Sequence, residues 1–492
     1  MAEPIIRLAQ GELKGTRESG VLRFRGVPYA AGPVGDRRFR LPEPHSGWTG
    51  VRDGTVAGAN APHGVKPFPG LDVAPLIGTG WVEGDDYLNA DIWLPDDGRT
   101  GRPIMVFIHG GAFVLGSSTA AVQDGTAFAR DGIVLVSITY RLGIEGFLPV
   151  DGAPSNLGLH DQIAALKWVR DNAGALGGDA DNITVFGESA GAMSVANLVA
   201  SPLAQGLFRR AIIQSGHGSM VRPLPVARRL TRRVAKMLKV RPDADGFRGT
   251  RIADTLRVLE TVIQPTVRLD LRDERGREPA YGLSKFLPVF GDDVLPERPL
   301  DALDKGLGRD VDVLIGSNRE EMNLYFVPTG VRAKLPGWLA PLILGRVERN
   351  ARRILKAYRH KGDRPGWTFT RALSDLVFRY PARQFAAAHT GRTHVYEMEW
   401  QSPASGGELG ACHGIELPFV FDTLASTTGP EGLTGKAPPQ ALADRVHGLW
   451  VEYAKTGTLP WGEYSATDPQ VYALDAGEAR AERPMPCAAV MS

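Results

Sequence analysis

A serine flanked by glycines, directly after an apolar run, constrains this chain more than any other feature. The pentapeptide GESAG at residues 187–191 places Ser189 between a strand-like run over residues 183–186 and a helix-like stretch over residues 192–200. A serine on a tight strand-to-helix turn projects its hydroxyl from the sheet edge, and flanking glycines let the backbone pass close to its neighbours. The pattern predicts a nucleophilic serine, which requires a base, an acid and an oxyanion hole elsewhere in the chain.

Alternating strand-like and helix-like segments predict the fold class. Continuous apolar runs at residues 104–108, 134–140 and 183–186 are typical of strands covered on both faces, and residues 160–172 form a candidate crossover helix. We therefore predict an α/β fold with a central, mostly parallel sheet flanked by helices.

The domain organisation follows from changes in character along the chain. We predict one domain over residues 1–492, because large α/β enzymes often exceed the usual domain length. Helical insertions at about residues 222–280 and 330–390 are expected over the site, where they would form a lid or gorge wall. Residues 476–492 are expected to be a poorly ordered tail.

Composition excludes several classes of partner. The chain has 57 Lys and Arg against 55 Asp and Glu, so its net charge of +2 gives no reason to expect nucleic acid or an anionic membrane. Cys412 and Cys487 are too few for a disulfide framework and lie in no metal-binding pattern. The start lacks a secretory pattern and no 18-residue apolar stretch appears, so we expect a cytoplasmic protein without membrane insertion, metal or cofactor.

The positions of glycines and histidines suggest the other parts of the site. The run at residues 104–108 ends in HGGAF, where glycines let backbone N–H groups face a developing oxyanion. In sites of this kind the acid and the histidine follow the serine along the chain. His413 lies in the small-residue loop GACHG after a strand-like run at residues 393–400, as expected of a base. The other downstream histidines are His217, His360, His389, His394 and His447, of which His217, His389 and His394 remain alternatives.

A carboxylate at the end of another strand is the candidate acid. The short apolar run at residues 311–315 leads into GSNREE, which ends in Glu320 and Glu321. Adjacent residues on a turn can point in opposite directions, so spacing alone leaves both glutamates open.

The order of many motifs resembles the type-B carboxylesterase family, the cholinesterase-like branch of the α/β-hydrolases, and in particular its bacterial carboxylesterases. The similarity covers nearly the whole chain. It includes FRGVPYA at residues 24–30, RFRLP at 38–42, NLGLHDQ at 156–162, GGD at 177–179 and QSG at 214–216. The resemblance implies an α/β-hydrolase fold and a serine esterase.

The resemblance also implies individual roles. It assigns the nucleophile to Ser189, the acid to Glu321, the base to His413, the oxyanion N–H groups to Gly111, Ala112 and Ala190, and supporting roles to Ser215 and Glu188. Substrate-binding candidates named by their location are Phe113, Phe290 and Phe326.

The expected activity is hydrolysis of small-molecule carboxylic esters through a Ser-His-Glu triad and an acyl-enzyme, with no cofactor. One alternative is a lipase or acyltransferase whose insertions act as an interfacial lid. The other is a non-catalytic binding protein on the same fold. The sequence leaves the oligomeric state open.

Overall fold

A computed structural model describes residues 3–65 and 67–491. The strands are β1 (Ile5–Leu8), β2 (Gly11–Lys14), β3 (Thr16–Glu18), β4 (Val21–Pro28), β5 (Val51–Asp53), β6 (Asn89–Pro95), β7 (Arg102–Ile108), β8 (Val134–Ile138), β9 (Gly178–Glu188), β10 (Arg210–Gln214), β11 (Arg222–Pro223), β12 (Val289–Phe290), β13 (Asp312–Asn318), β14 (Thr393–Met398), β15 (Gln470–Ala473) and β16 (Glu478–Ala481).

Eighteen α-helices are found among the described residues. The α-helices are α1 (Ala74–Ile77), α2 (Thr126–Arg130), α3 (Gly143–Phe147), α4 (Leu157–Asn172), α5 (Ala190–Val199), α6 (Leu224–Leu238), α7 (Ala244–Arg248), α8 (Ile252–Val262), α9 (Pro299–Asp304), α10 (Asn323–Phe326), α11 (Val331–Lys334), α12 (Ala340–Leu344), α13 (Ala351–Ala357), α14 (Pro365–Ser374), α15 (Tyr380–Ala388), α16 (Leu417–Val420), α17 (Gln440–Thr456) and α18 (Ala488–Met491). A π-helical turn, Asp375–Arg379, joins α14 to α15. Short 3₁₀ helices are Gly35–Arg37, Ala121–Gln123, Pro202–Ala204, Ser405–Gly407 and Leu424–Thr427.

The large sheet confirms the predicted fold class. Among the described residues it has eleven strands in the order β16-β15-β14-β13-β10-β9-β7-β8-β6-β4-β3. Neighbouring strands are parallel from β15 to β8, and the antiparallel pairs lie at the two edges. The continuous apolar runs in the sequence correspond to these central parallel strands.

Both faces of the central strands are buried. In β7, Ile104, Val106 and Ile108 belong to one hydrophobic core, whereas Met105 and Phe107 belong to a second. Alternate residues of a strand point to opposite faces, so the two cores lie on the two sides of the sheet. Helices α4 and α5 contribute to the first core and α17 to the second. This cover explains the continuous apolar runs in the central strands.

The two predicted insertions are helical. Helices α6, α7 and α8 fall in the first, and α11 to α15 with the π-helical turn fall in the second. Within the described ranges, no helix combines the length and apolar character needed to cross a membrane.

The prediction of a poorly ordered tail is wrong for residues 476–491, and Ser492 lies outside the described residues. Strand β16 pairs antiparallel with β15 at the sheet edge, and Cys487 beyond it is fully buried. Glu482 Oε1 lies 2.5 Å from Nε of Arg383, which stands 99 positions earlier in the chain. Ion pairs with such distant residues order the C-terminal segment, and local composition carries no sign of them.

Candidate active site

Ser189 sits at the tip of a strained turn between β9 and α5. Its backbone has φ 56° and ψ −122°, a left-handed φ that non-glycine residues rarely adopt. The turn leaves no room for side chains around it. A Cβ on Gly110 would lie 3.1 Å from the Ser189 Cβ, and one on Gly191 would lie 1.9 Å from the Ile108 carbonyl oxygen. The glycines seen in the sequence therefore let β7 and the serine turn pack in direct contact.

The side chains of Glu321 and His413 are in contact. Glu321 Oε2 lies 2.6 Å from His413 Nδ1, and both side chains are buried. The second carboxylate oxygen, Oε1, accepts the backbone N–H of Asn318 at 2.7 Å. The backbone N–H of His413 also donates to the backbone carbonyl of Glu321 at 3.2 Å. A carboxylate held on both oxygens fixes the ring orientation and places the proton on Nδ1, leaving Nε2 free to act as a base.

The other imidazole nitrogen faces Glu188 rather than Ser189. His413 Nε2 lies 3.1 Å from Glu188 Oε1, and it makes no hydrogen bond to any residue that the structure describes. The Ser189 to His413 hydrogen bond therefore stays a prediction. Contacts of this kind are often long in free enzymes and shorten when substrate binds.

Three buried carboxyl groups surround this one imidazole. Burial raises the pKa of Glu188 well above its ordinary value, and His413 opposes that rise only in part. Burial alone would lower the pKa of His413, but the carboxylates of Glu188 and Glu321 raise it. Burial also raises the pKa of Glu416, which accepts from Asn318 Nδ2 at 2.6 Å. Glu416 was not foreseen, although it follows His413 by three residues.

The predicted oxyanion N–H groups come from two places in the chain. Gly111 and Ala112 follow β7, and Ala190 is the first residue of α5. Within the described chain, the backbone N–H groups of all three lack a hydrogen-bond acceptor. Ala112 has φ 55°, so the loop after β7 holds a left-handed non-glycine residue, as the turn after β9 does at Ser189. Their joint role as an oxyanion hole stays a prediction.

Two aromatic rings pack on the imidazole. Phe378, in the π-helical turn, has its ring centre 4.7 Å from that of His413, and Tyr325, in α10, is at 5.6 Å. Tyr325 follows Glu321 by four residues, a spacing that could have identified it as a neighbour of the site. Phe378 gave no such signal, because 35 positions separate it from His413.

The three predicted substrate-binding phenylalanines lie in different surroundings. Phe113 is buried with its ring 4.6 Å from Phe147. Phe326 stacks on Phe369 at 5.6 Å. Phe290 is half-buried in β12 with the Arg298 guanidinium 4.8 Å above its ring. None of these ring contacts involves the triad, so their binding role stays a prediction.

The alternative candidates for the base and the acid contact other groups. His217, His389, His394 and His447 each face a backbone carbonyl at 2.7–3.1 Å, and His360 is exposed. Glu320 Oε2 accepts the Ala411 N–H at 3.1 Å instead of contacting the imidazole.

Ser215 is fully buried and its hydroxyl has no partner among the described residues, so its supporting role stays a prediction. No cluster of three or more His, Cys, Asp or Glu suited to a metal occurs within residues 3–65 and 67–491.

Comparison with known proteins points the same way as this geometry. The sequence model of the carboxylesterase family matches residues 2–486. The chain is 34% identical to phenmedipham hydrolase of Pseudarthrobacter oxydans, over 96% of this chain and 95% of that protein. It is 33% identical to para-nitrobenzyl esterase of Bacillus subtilis (strain 168), over the same shares of each chain, 96% and 95%.

Solved structures of such esterases share the whole fold. A thermophilic PNB esterase superposes with a TM-score of 0.83 at 30% identity, covering 98% of each chain. A carboxylesterase of Geobacillus stearothermophilus at pH 6.2 superposes with a TM-score of 0.81 at 31% identity, covering 97% of this chain and 98% of that one.

Proposed function

The chain belongs to the carboxylesterase family and is a carboxylic ester hydrolase, and we propose that it acts through Ser189, His413 and Glu321. The observation that carries the proposal is the 2.6 Å contact between Glu321 and His413, formed beside a serine on a strained strand-to-helix turn. A buried carboxylate on Nδ1 and a serine on a strand-to-helix turn are the parts that nucleophilic acyl transfer needs.

Acylation follows from the chemistry of these groups. His413 Nε2 removes the Ser189 proton while Oγ forms a bond to the ester carbonyl carbon. The carbonyl electron pair moves onto oxygen, which the N–H groups of Gly111, Ala112 and Ala190 stabilise. Collapse of this intermediate breaks the bond to the alkoxy oxygen, and the imidazolium donates its proton to the leaving alcohol. Glu321 stabilises the imidazolium throughout without taking its proton.

Deacylation repeats these steps with water. His413 removes a proton from water, the resulting oxygen attacks the acyl carbon, and the Ser189 oxygen leaves with the proton from the imidazolium. In the free enzyme Nε2 faces Glu188, so substrate binding must bring Nε2 within hydrogen-bond reach of Ser189.

The helical insertions supply part of the site's walls in this proposal. Phe378 belongs to the second insertion and packs against His413. We propose that the insertions at about residues 222–280 and 330–390 form the wall of a gorge over Ser189. Substrates would be small esters, and aromatic alcohol esters are the first to test because a relative is named for the para-nitrobenzyl group.

Hydrolysis of a series of p-nitrophenyl esters from acetate to palmitate, together with p-nitrobenzyl acetate, tests this proposal. We expect Ser189→Ala to lower kcat by at least about 10³-fold, because removal of a nucleophile abolishes the covalent route. Ser194→Ala is the matched control, since this buried serine lies on α5 and its hydroxyl accepts from Gln162 Nε2 at 3.1 Å. Full activity of folded Ser189→Ala protein would contradict the assignment.

A lipase is the second candidate, because the second insertion exposes large apolar side chains. Trp338 is 69% exposed and Leu342 is 51% exposed. Neighbouring apolar groups on a surface suit contact with a lipid interface. A lipase would accelerate sharply once long-chain substrate forms an emulsion. If the rate depends only on the concentration of dissolved ester, the lipase hypothesis fails and the esterase hypothesis remains.

A further inference from the structure

A segment of the second insertion, residues 331–364, carries a large excess of positive charge. It contains ten Lys and Arg residues against two acidic residues, Glu348 and Asp363, which gives a net charge of +8. The whole chain has a net charge of only +2, so the rest of the chain is net negative. The charge of the whole chain therefore conceals one strongly basic segment, and such asymmetry favours an anionic partner.

The two acidic side chains of this segment are paired with arginines outside it. Glu348 is fully buried, and its Oε2 lies 3.0 Å from Nε of Arg277 in the first insertion. Asp363 accepts from Arg371 of α14. Of the ten cations, Arg332 is buried and the other nine are exposed. These nine form no ion pair with any residue that the structure describes, so no neighbouring carboxylate compensates their charge.

Helix α13 holds part of this charge on its outer side. It packs against α12 and α14 and buries Ala351 and Ile354. The exposed cations on its other side and just after its end are Arg352, Arg353, Lys356 and Arg359. Positive side chains three and four positions apart on a helix are neighbours and repel each other. An anionic partner would relieve this repulsion.

Two large apolar side chains are exposed within the same segment. Trp338 is 69% exposed, and Leu342 of α12 is 51% exposed. Helix α12 contacts α13, which places Leu342 beside the cations of that helix. A Cβ on Gly337 would lie 3.2 Å from the Pro365 side chain, which directly follows the exposed Arg364. The surface therefore combines apolar groups with positive charge.

We propose that residues 331–364 form a docking surface for bilayers that contain anionic phospholipids. The exposed cations would contact the lipid phosphates, while Trp338 and Leu342 enter the boundary between headgroups and acyl chains. A nucleic acid would match the charge, but it offers no apolar layer that could bury Leu342. Such binding is peripheral and requires no membrane-spanning helix. The inference does not rest on the proposed function, because Ser189 has no part in it.

Sedimentation of the full-length protein with lipid vesicles tests the proposal. We expect binding to vesicles of phosphatidylcholine that contain phosphatidylglycerol, and much weaker binding to phosphatidylcholine alone. Raising NaCl to about 1 M, where the Debye length is about 3 Å, should remove most of the bound protein.

Variants of the surface separate its two components. Each basic residue near an anionic membrane strengthens binding about 5-fold. Neutralising four cations of the surface together should therefore weaken binding to the anionic vesicles by about 10²-fold or more. The changes are Arg352→Gln, Arg353→Gln, Lys356→Gln and Arg359→Gln. Trp338→Ala should weaken binding by about 10-fold, because a large apolar side chain no longer leaves water.

Helix α6 and the residue after it provide the matched control for charge. Four exposed cations there also lack an ion pair among the described residues, but no large apolar side chain is exposed on α6. Neutralising them together should weaken binding by less than about 5-fold, through long-range attraction alone. The changes are Arg232→Gln, Arg233→Gln, Lys236→Gln and Lys239→Gln. Leu203→Ala, at a side chain that is 40% exposed, is the apolar control and should bind as the wild type does.

Several results would overturn the inference. One is a wild-type protein that does not bind the anionic vesicles or that binds neutral vesicles equally well. Another is an equal loss in the two quadruple variants, because binding would then follow net charge and not this surface. Binding to duplex DNA without binding to vesicles would identify nucleic acid as the partner instead. If the quadruple variant does not fold, the comparison of Trp338→Ala with Leu203→Ala decides, and equal binding of these two would contradict the proposal.

Discussion

At the scale of single residues, burial lowers the pKa of His413, and the charge of Glu188 opposes that effect directly. Its carboxylate lies 3.1 Å from Nε2, and the side chains are 9% and 5% exposed, so water screens the interaction little. Together with Glu321, this carboxylate raises the pKa of His413 against the opposing effect of burial. Only the neutral imidazole can accept the serine proton. Activity should therefore fall as the pH decreases through the pKa of His413.

Glu188→Gln is expected to shift this dependence to lower pH. The amide removes one negative charge beside Nε2, so the imidazolium is less favoured and the pKa of His413 falls. An opposite charge at this distance is worth about 1–3 pH units, and we expect the acidic limb of kcat/KM to move down by at least ~1 unit. A profile of kcat/KM against pH measures the shift.

A control variant removes a carboxylate from beside a different imidazole. Asp131 lies 3.2 Å from Nε2 of His447, far along the chain from the serine. Asp131→Asn should leave the profile of kcat/KM unchanged. An acidic limb that stays in place or moves to higher pH in Glu188→Gln would show that Glu188 does not set the pKa of the base.

At the scale of elements, the close contact between α5 and β7 depends on Gly191. A Cβ there would lie 1.9 Å from the Ile108 carbonyl oxygen and 2.8 Å from that of His109. Both atoms are backbone and cannot move aside without shifting the strand. Gly191→Ala should therefore displace the start of α5, lower kcat by about 10²-fold or more, as a 1 Å misplacement can, and destabilise the fold by about 1–3 kcal/mol.

Kinetics and urea unfolding of Gly191→Ala test this packing argument. Gly448→Ala is the control, because Gly448 lies in α17 and an added Cβ meets no atom within 4 Å. Alanine favours a helix over glycine, so this variant should keep its activity and gain up to about 1 kcal/mol. A Gly191→Ala protein with normal kcat and stability would mean that α5 and β7 can separate without consequence.

The elements that sequence predicts best are those with local signals. The apolar runs at residues 104–108 and 183–186 became central strands, and the glycines around Ser189 became a real close contact. The acid was ambiguous between Glu320 and Glu321 because local spacing does not fix side-chain direction. The packing of Phe378 on His413 was invisible for another reason: a π-helical turn in a distant insertion creates it.

At the scale of the whole molecule, the C-terminal segment closes one edge of the sheet and contacts the second insertion. Glu482 Oε1 lies 2.5 Å from Arg383 Nε and 3.4 Å from Arg379 Nη2, and all three side chains are 4–5% exposed. Arg379 directly follows Phe378 in the π-helical turn. The end of the chain is thus connected to the imidazole through one buried ion pair and one ring contact, and such a connection cannot be read from local composition.

Glu482→Gln tests that connection. Loss of the carboxylate leaves two buried guanidinium groups with less compensation, and breaking a buried pair costs about 3–5 kcal/mol. We expect the free energy of unfolding in urea to fall by about 3 kcal/mol. Because the turn that carries Phe378 loses a contact, kcat should fall as well.

Asp181→Asn is the surface control, since Asp181 is 90% exposed beside Arg170 and should change stability by less than about 1 kcal/mol. Equal stability of the two variants would mean that the C-terminal segment is dispensable for the fold.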